Sequence, residues 1–240
     1  MSPHHRTTMT ITPSAVAHRR ERWLLSNSLR ATIFRWLMGP QGHLLANHPL
    51  YQLPASLKLT AETKLLDIGC GRGTLMSVFD EQVQFRAPPI GIDLSPEMLR
   101  LGVQDNRHQE FIRATASILP FEDRSFTFVT CGYVTKHLQD DEVYSLFREL
   151  NRVLAPGGLA MVWDFGPTGN NRLDQWNATV LGSSVERLQL RSTETLISLA
   201  SECGFLFTRD AALGAFLIPP IPRASILIGI PPENFVQSSP

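Results

Sequence analysis

The sequence contains little cysteine and no long apolar run, and each shortage excludes a class of protein. Its 240 residues include three cysteines, Cys70, Cys131 and Cys203, without paired spacing or a Cys-x-x-Cys motif. A disulfide framework or a metal site is therefore not expected, and a reducing compartment is the default. No apolar run approaches the roughly 20 residues of a membrane-spanning helix. Residues 1–17 also lack the apolar core and cleavage site of a secretory signal. We therefore expect a cytoplasmic protein without a metal.

The sequence also lacks an excess of charge of either sign. It contains 22 basic and 22 acidic residues and has a formal net charge of zero. A general nucleic-acid binder normally carries a basic excess that offsets phosphate charge, so we expect no nucleic-acid partner. The hydrophobic fraction of 43% and the charged fraction of 18% are typical of a globular protein with a proper core.

The chain divides into three parts by composition. Residues 1–13 are polar, which predicts a disordered tail. Residues 14–57 form a predicted N-terminal helical extension, because apolar residues recur there at helical spacing between arginines. We expect this extension to be a lid that docks on the core; contact of its basic helix at 14–38 with a membrane surface is the less favoured alternative. Residues 58–240 form the predicted main domain, with an insertion at 166–190.

Strands alternate with helices from Lys64 onward, which implies a parallel sheet with helices on both faces. Ser95-Pro96 predicts a helix start, with serine as the cap and proline in the first turn. The predicted strands are 64–68, 89–94, 111–115, 125–131 and 159–165, the last after a Pro-Gly-Gly turn at 156–158. Helices are predicted after Gly73 and at 140–152 and 193–203, and segments 205–210 and 224–230 are predicted to pair as a C-terminal hairpin.

The strongest local signal is the segment Asp67-Ile68-Gly69-Cys70-Gly71-Arg72-Gly73, between a strand and a helix. Glycines there allow a tight turn and let a ligand approach the backbone. The spacing is Gly-x-Gly-x-Gly rather than the Gly-x-Gly-x-x-Gly of a dinucleotide loop. The carboxylate of Asp67 suits a ligand with an ammonium group and is poorly placed beside a pyrophosphate. A NAD-dependent oxidoreductase is therefore the less favoured interpretation of this loop.

A second carboxylate, Asp93, ends the next predicted strand, roughly 20 residues beyond the glycine loop. A carboxylate at that place can accept hydrogen bonds from both hydroxyls of a ribose. Either aspartate alone has an ordinary interpretation as a strand-end or capping residue. Together, at this spacing around the glycine turn, they favour a nucleoside-type ligand.

Three segments, Leu65–Thr74, Ile118–Phe126 and Leu150–Gly158, make the chain resemble the class I S-adenosylmethionine (SAM) dependent methyltransferases. The resemblance is to their small-molecule branch, which includes the ubiquinone and menaquinone methyltransferases. It implies a Rossmann-like α/β fold with a seven-stranded, mostly parallel sheet, an antiparallel C-terminal hairpin and the N-terminal helical extension. It also implies that the glycine loop holds the methionine part of SAM, that Asp93 holds the ribose and that residues after strand three flank the adenine.

The cofactor site that this resemblance implies comprises Asp67, Gly69, Cys70, Gly71, Gly73, Asp93, Leu94, Thr115, Ala116 and Gly132. One position departs from the family pattern. Where the family commonly has Gly-Asp-Ala, this chain has Ala114-Thr115-Ala116. A threonine hydroxyl accepts a hydrogen bond from the adenine amino group more weakly than a carboxylate does.

Candidate catalytic residues follow strands four and five, at the sheet edge where open α/β folds bind ligands. They are Tyr133, His137 and Asp164. His137 can act as a base near neutral pH if the acceptor must lose a proton. Each has a simpler alternative: Tyr133 and His137 line the cofactor pocket, and Asp164 caps a turn.

The acceptor is predicted to be a small, apolar or aromatic molecule. Cys131 is not preceded by the proline of cytosine-C5 methyltransferases, and the Asn/Asp-Pro-Pro-Tyr motif of nucleic-acid amino methylation is missing. Methylation of RNA or protein, and a non-catalytic SAM-binding homologue, stay as alternatives. A homodimer is compatible with the sequence, which does not specify one.

Overall fold

The structure of the protein is a computed structural model that describes residues 48–106, 108–175, 189–217 and 220–233. The predicted tail at 1–13 and the predicted helix at 14–38 lie outside these ranges. Within them, no helix combines the length and the apolar character that crossing a bilayer requires.

Seven strands of the described chain form one sheet. They are β1 (Leu65–Ile68), β2 (Ile90–Asp93), β3 (Glu110–Arg113), β4 (Phe126–Gly132), β5 (Leu154–Phe165), β6 (Phe207–Asp210) and β9 (Arg223–Gly229), while β7 (Phe216–Leu217) and β8 (Pro220–Ile221) pair separately. The sheet order is β3-β2-β1-β4-β5-β9-β6. Strands β1 to β5 pair in parallel, and β9 lies antiparallel between β5 and β6. The predicted mostly parallel sheet with an antiparallel C-terminal strand pair is therefore confirmed.

Helices connect the strands and cover the sheet. They are α1 (His48–Tyr51), α2 (Leu53–Ser56), α3 (Thr74–Val83), α4 (Pro96–Asp105), a 3-10 helix (Thr135–His137), α5 (Asp140–Val153) and α6 (Thr193–Glu202), with a further helical turn at 171–175. The predicted cap of α4 is present, because the Ser95 hydroxyl accepts a hydrogen bond from the Met98 amide at 3.2 Å. Gly204 follows α6 at φ +92°, the left-handed conformation expected after a helix end.

The central strands are apolar on both faces because helices cover both. Alternate residues of β1 point to opposite faces. Leu66 belongs to the core beneath α5 and α6, whereas Leu65 belongs to the core beneath α1, α2 and α3. Asp67 lies two residues after Leu65 and therefore points to the same face of the sheet, so its carboxylate lies on the face that the N-terminal helices cover. Leu50 and Leu53 are buried there, which ties the described part of the N-terminal extension to the sheet.

The start of β5 differs from the prediction. The strand begins at Leu154 and not at Leu159, so the predicted turn at 156–158 is wrong. Between the pairs Phe126–Leu154 and Phe128–Leu159, β4 advances by two residues and β5 by five, which makes a wide bulge. Gly157 adopts φ +77° in it, and its amide donates to the carbonyl of Ile230 at 3.0 Å. A Pro-Gly-Gly segment has the composition of a turn, but burial of Leu154 and this long-range bond keep it in the sheet.

A charged clamp on α5 holds the loop that precedes β4. The Arg152 guanidinium bonds to both carboxylate oxygens of Glu149 and donates to the carbonyls of Leu119 and Phe121 at 3.0 and 2.7 Å. Glu149 in turn accepts from the Leu119 amide at 2.6 Å, and the guanidinium of Arg152 lowers the pKa of Glu149 from its usual value. Two of the three segments that carry the family resemblance are thus in direct contact.

We expect Arg152→Met to lower the free energy of unfolding by about 2–3 kcal/mol, because it leaves Glu149 and two loop carbonyls without their charged donor. The neighbouring Arg148 is exposed on the same helix, and Arg148→Met should change stability by less than about 0.5 kcal/mol. Urea unfolding followed by circular dichroism measures both. Equal effects of the two substitutions would contradict the clamp.

Candidate functional site

The glycine loop between β1 and α3 has three left-handed residues, Gly69 (φ +74°), Gly71 (φ +56°) and Gly73 (φ +76°). Packing also opposes a side chain at two of them. A Cβ at Gly69 would lie 2.2 Å from Val134 Cγ2, and one at Gly73 would lie 2.7 Å from Cζ of the Phe111 ring. A Cβ at Gly71 would meet no atom within 4 Å, so open space faces the loop at this residue. Gly71 is therefore where a ligand can approach the backbone.

The amides of the loop are mostly used inside the protein. Those of Gly69 and Cys70 donate to the carbonyl of Ile92 at 2.8 and 3.0 Å, and that of Gly73 donates to the carbonyl of Cys70 at 2.9 Å. The amide of Gly71 donates to Asp93 Oδ2 at 2.9 Å. A pyrophosphate-binding loop needs its amides for the phosphate oxygens. Four of the five loop amides are committed elsewhere, which argues against a dinucleotide.

Asp67 lies at the end of β1 and is 4% exposed. Its Oδ1 accepts a hydrogen bond at 2.7 Å from the hydroxyl of Thr130, the residue directly opposite on β4. Burial raises the pKa of Asp67 to about 7; the Thr130 hydrogen bond opposes the rise and the charge of Asp93 adds to it. Among the described residues, no basic side chain forms a salt bridge with Asp67. A bound cation would favour the ionised form of this carboxylate.

Asp93 lies at the end of β2, beside the loop. Besides the amide of Gly71, it accepts the amide of Ser95 on Oδ1 at 2.8 Å, so both oxygens are fixed in place. Each oxygen keeps a lone pair for a further donor. The carboxylate is therefore oriented to accept a pair of hydroxyls.

The residues expected around the adenine lie at the same sheet edge. The Thr115 hydroxyl accepts the Ser117 amide at 3.0 Å, and Ala116 is buried. Leu94 is 53% exposed and Ile118, bridged to Thr115, is 66% exposed. Two exposed apolar side chains at this edge suit the faces of a planar ring. Ile118 was not among the predicted site residues, although it lies in a segment that carries the resemblance.

Tyr133 follows β4 in the left-handed conformation, φ +58°. Its amide donates to the carbonyl of Trp163 at 2.8 Å, and its ring packs on Phe165 with centroids 4.7 Å apart. Gly132 beside it leaves room for the Trp163 indole, which a Cβ would approach to 2.3 Å. The Tyr133 hydroxyl accepts Arg223 Nε at 3.0 Å. Three aromatic rings therefore form one wall at this edge.

The carboxylate of Asp164 is buried and organises the 3-10 helix. It accepts the Thr135 hydroxyl at 2.9 Å and the Lys136 amide at 2.8 Å, and its Oδ1 lies 3.4 Å from the Lys136 ammonium. Its Oδ1 also accepts the Phe165 amide at 2.8 Å. His137, the last residue of this helix, is half-buried. The bonds of Asp164 thus fix the turn that carries His137.

Arg191 anchors the chain where it returns from the predicted insertion. Its side chain is 6% exposed, bonds to Asp140 at 2.6 Å and donates to the carbonyls of Thr135 and Leu138 at 2.7 and 2.9 Å. The Gln189 amide donates to the carbonyl of Lys136 at 2.9 Å. The segment after 188 is thereby fastened to the 3-10 helix.

All thirteen predicted site residues lie at or next to the carboxyl edge of β1 to β5. Sequence reasoning missed Thr130, Lys136 and Arg223, which contact predicted residues, and Arg191, which bonds to the 3-10 helix that carries His137. Thr130, Arg191 and Arg223 each make these contacts with residues more than 50 positions away in sequence. The composition of their own segments contains no signal of that contact; only Lys136, adjacent to His137, was within reach of a local motif.

Comparison with known proteins agrees with this geometry. Residues 66–162 match the family model described as a methyltransferase domain. The demethylmenaquinone methyltransferase of Staphylococcus aureus (strain JH9) is 36% identical over 102 residues, which cover 41% of this chain and 42% of that protein. The chain thus aligns with less than half of the length of this relative.

Solved structures are similar over more of the chain. YcgJ of Bacillus subtilis is 26% identical with a TM-score of 0.58, over 68% of this chain and 70% of that one. Human N-acetylserotonin methyltransferase in complex with SAM has a TM-score of 0.63 at 16% identity, over 89% of this chain and 56% of that one.

The sheet defines a doubly wound α/β protein whose carboxyl edge holds a glycine loop and two carboxylates. Over residues 66–162 the chain is similar to the methyltransferase domain family.

We expect Asp67 to make stability depend on pH. Its folded pKa is raised, so the protonated form is favoured in the folded state and stability falls as the pH rises from about 4 to about 7. Asp67→Asn removes that fall and should be more stable than the unchanged protein by about 1–3 kcal/mol at pH 8, with the difference shrinking toward pH 4. Thermal or urea unfolding across this range measures it.

Thr130→Val provides the matched comparison, because the Thr130 hydrogen bond lowers the pKa of Asp67. Without this hydrogen bond, the loss of stability should occur over a range of higher pH. Parallel pH profiles for Asp67→Asn and the unchanged protein would show that Asp67 does not titrate in this range.

Proposed function

We propose that the protein transfers a methyl group from SAM to an O, N or C atom of a small apolar or aromatic molecule. The observation that carries this proposal is the meeting of Asp67 and Asp93 at a glycine loop whose amides are satisfied within the protein. SAM is a cation with an ammonium group and a ribose, whereas NAD brings a pyrophosphate. Two carboxylates beside an open loop fit the first ligand better.

The described residues fit each part of SAM. Open space at Gly71 admits the methionine part, and Asp67 balances its ammonium group. Asp93 accepts the ribose hydroxyls, while Leu94, Thr115, Ala116 and Ile118 flank the adenine. When bound, SAM supplies a sulfonium methyl group that needs no further activation.

The task left to the chain is to align the acceptor and exclude water. The half-buried ring of Tyr133, which packs on Trp163 and Phe165, is the apolar surface that we assign to the acceptor ring. His137 is positioned by the turn that Asp164 organises, and it serves as the base if the acceptor must lose a proton. Because the bonds of Asp164 lie within the protein, we assign it to positioning of the turn rather than to proton transfer.

The acceptor class is inferred from the same wall and from the relative that acts on demethylmenaquinone. The N-terminal extension and the insertion at 166–190 are expected to cover the acceptor, since Tyr51 packs in the same core as Trp163 and Gln189 bonds to Lys136. The cytoplasmic location and the absence of a nucleic-acid partner stay predictions, as does a homodimer.

We expect SAM to bind in calorimetry and NAD not to bind. Asp93→Ala should weaken SAM binding about 10–100-fold, because it removes a carboxylate that accepts two hydroxyls and one loop amide. Asp141→Ala, an exposed aspartate on α5, is the control and should leave affinity unchanged. Unchanged affinity in Asp93→Ala, or binding of NAD in place of SAM, would overturn the assignment of the site.

The acceptor class is tested by incubating the protein with methyl-labelled SAM and a cell extract, then separating organic-soluble, RNA and protein fractions. We expect label in the organic-soluble fraction, and none with Asp93→Ala. Label in RNA or protein would favour the macromolecular alternative. SAM binding without any transferred label would favour a non-catalytic homologue. The sequence feature that supports this alternative is Thr115, which stands in place of the usual aspartate.

A further inference from the structure

The carboxylate of Asp67 is held by one hydrogen-bond donor, the hydroxyl of Thr130. Thr130 is fully buried, and its Oγ1 lies 2.7 Å from Asp67 Oδ1 and 3.4 Å from the carbonyl oxygen of Leu66. A hydroxyl has a single hydrogen, and the shorter distance assigns it to Asp67. Within the described ranges, no hydrogen bond reaches Asp67 Oδ2. Thr130 therefore fixes one oxygen of the carboxylate and leaves the other unengaged.

The groups closest to Asp67 in the sheet and the loop do not balance its charge. None of the salt bridges between described residues includes Asp67, and the charge that acts on it is that of another carboxylate, Asp93. Cys70 in the loop and Cys131 on β4 stay as thiols, because burial first, and then neighbouring carboxylates that include Asp67, raise the pKa of each. A negative charge on Asp67 is therefore unfavourable in the free site.

The charged groups on the surrounding helices have partners of their own. Among the described side chains they are paired as Arg72 with Asp105, Arg100 with Glu97, His108 with Asp80 and Lys136 with Asp164, and Glu81 is exposed. Tyr51 on α1 stays neutral, because burial and then Tyr133 raise its pKa to about 12. These groups leave the carboxylate of Asp67 without a compensating charge.

A buried carboxylate without a cation takes up a proton readily. Burial raises the pKa of Asp67 to about 7, a rise that the Thr130 hydrogen bond opposes and the charge of Asp93 increases. The free site is thus half protonated near neutral pH. A cation that binds against the open loop at Gly71 favours the ionised carboxylate, so its binding expels the proton to solvent.

We propose that binding of SAM is coupled to release of a proton from Asp67, and that Thr130 is the positioning residue that sets the pH of this coupling. The inference rests on the proposed function, since SAM is the cation. As the pH falls below 7, Asp67 becomes protonated and no longer balances the ammonium group, so affinity for SAM falls. The cofactor site thereby responds to pH through a carboxyl group.

Calorimetry of SAM binding in two buffers that differ in ionisation enthalpy measures the proton release directly. For the unchanged protein we expect Asp67 to release about half a proton per SAM at pH 7 and about one at pH 5.5, with about tenfold weaker binding at pH 5.5. Asp67→Asn should remove both effects. What remains in that variant is the contribution of the amino group of SAM and of His137, and it is subtracted.

The role of Thr130 is tested by its own variants. Thr130→Val should raise the proton release at pH 7 toward one and weaken binding there, because the Thr130 hydrogen bond lowers the pKa of Asp67. Thr130→Ser keeps the hydroxyl and should retain the proton release of the unchanged protein. Thr208→Val, the same substitution on the edge strand β6, is the control and should alter neither quantity. A purely structural role of Thr130 would weaken binding equally at every pH and leave the proton count as it is.

Two results would overturn the proposal while SAM still binds and the proposed function stands. One is a proton release that is the same in Asp67→Asn and in the unchanged protein. The other is a proton count in Thr130→Val equal to that of the unchanged protein. Absence of SAM binding at every pH from 5.5 to 7 would instead overturn the proposed function, and this coupling with it.

Discussion

The hydrogen-bond register of β1 with β2 and β4 sets how the carboxyl ends of these three strands are aligned, and the geometry of the candidate site depends on this alignment. In this register Asp67 stands opposite Thr130, and two loop amides reach back to the carbonyl of Ile92. A slip of one residue would turn Asp67 to the other face of the sheet and separate it from Thr130. Burial of Leu65 and Leu66 in opposite cores resists such a slip.

The features that sequence predicts well are those decided within about ten residues. The glycine loop and the Ser95 cap each depend on neighbours in the chain, and the structure contains both. The start of β5 was missed because a local Pro-Gly-Gly signal competes with a bond to Ile230, more than 70 residues away. Which of the two decides the conformation depends on tertiary contacts that local composition does not encode.

One side of the candidate site could be predicted from local sequence, and the other could not. The proposed cofactor side consists of residues that belong to the loop or immediately follow a strand, so motif and position suffice to find them. The proposed acceptor side draws on α1, on the return of the chain at Gln189 and Arg191, and on the antiparallel strand β9. An arginine at a strand start has many uses, and nothing in the residues around Arg223 distinguishes this one. The positioning role proposed for Asp164 likewise depends on its three donors on the 3-10 helix and β5, which its own segment does not indicate.

The glycines at the strand ends restrict how this sheet edge can change in evolution. The space beside Gly91 is filled by Cys70 and Met76, and that beside Gly132 by Trp163, while Gly69 is also restricted by its left-handed φ of +74°. Replacing Gly132 alone creates an overlap with the indole of Trp163, whereas a smaller residue at 163 makes room for it. This pair can therefore change only in a fixed order, Trp163 before Gly132, and related sequences should show the two positions varying jointly. A side chain as large as that of Trp163 is therefore expected only in relatives that have glycine at the position of Gly132.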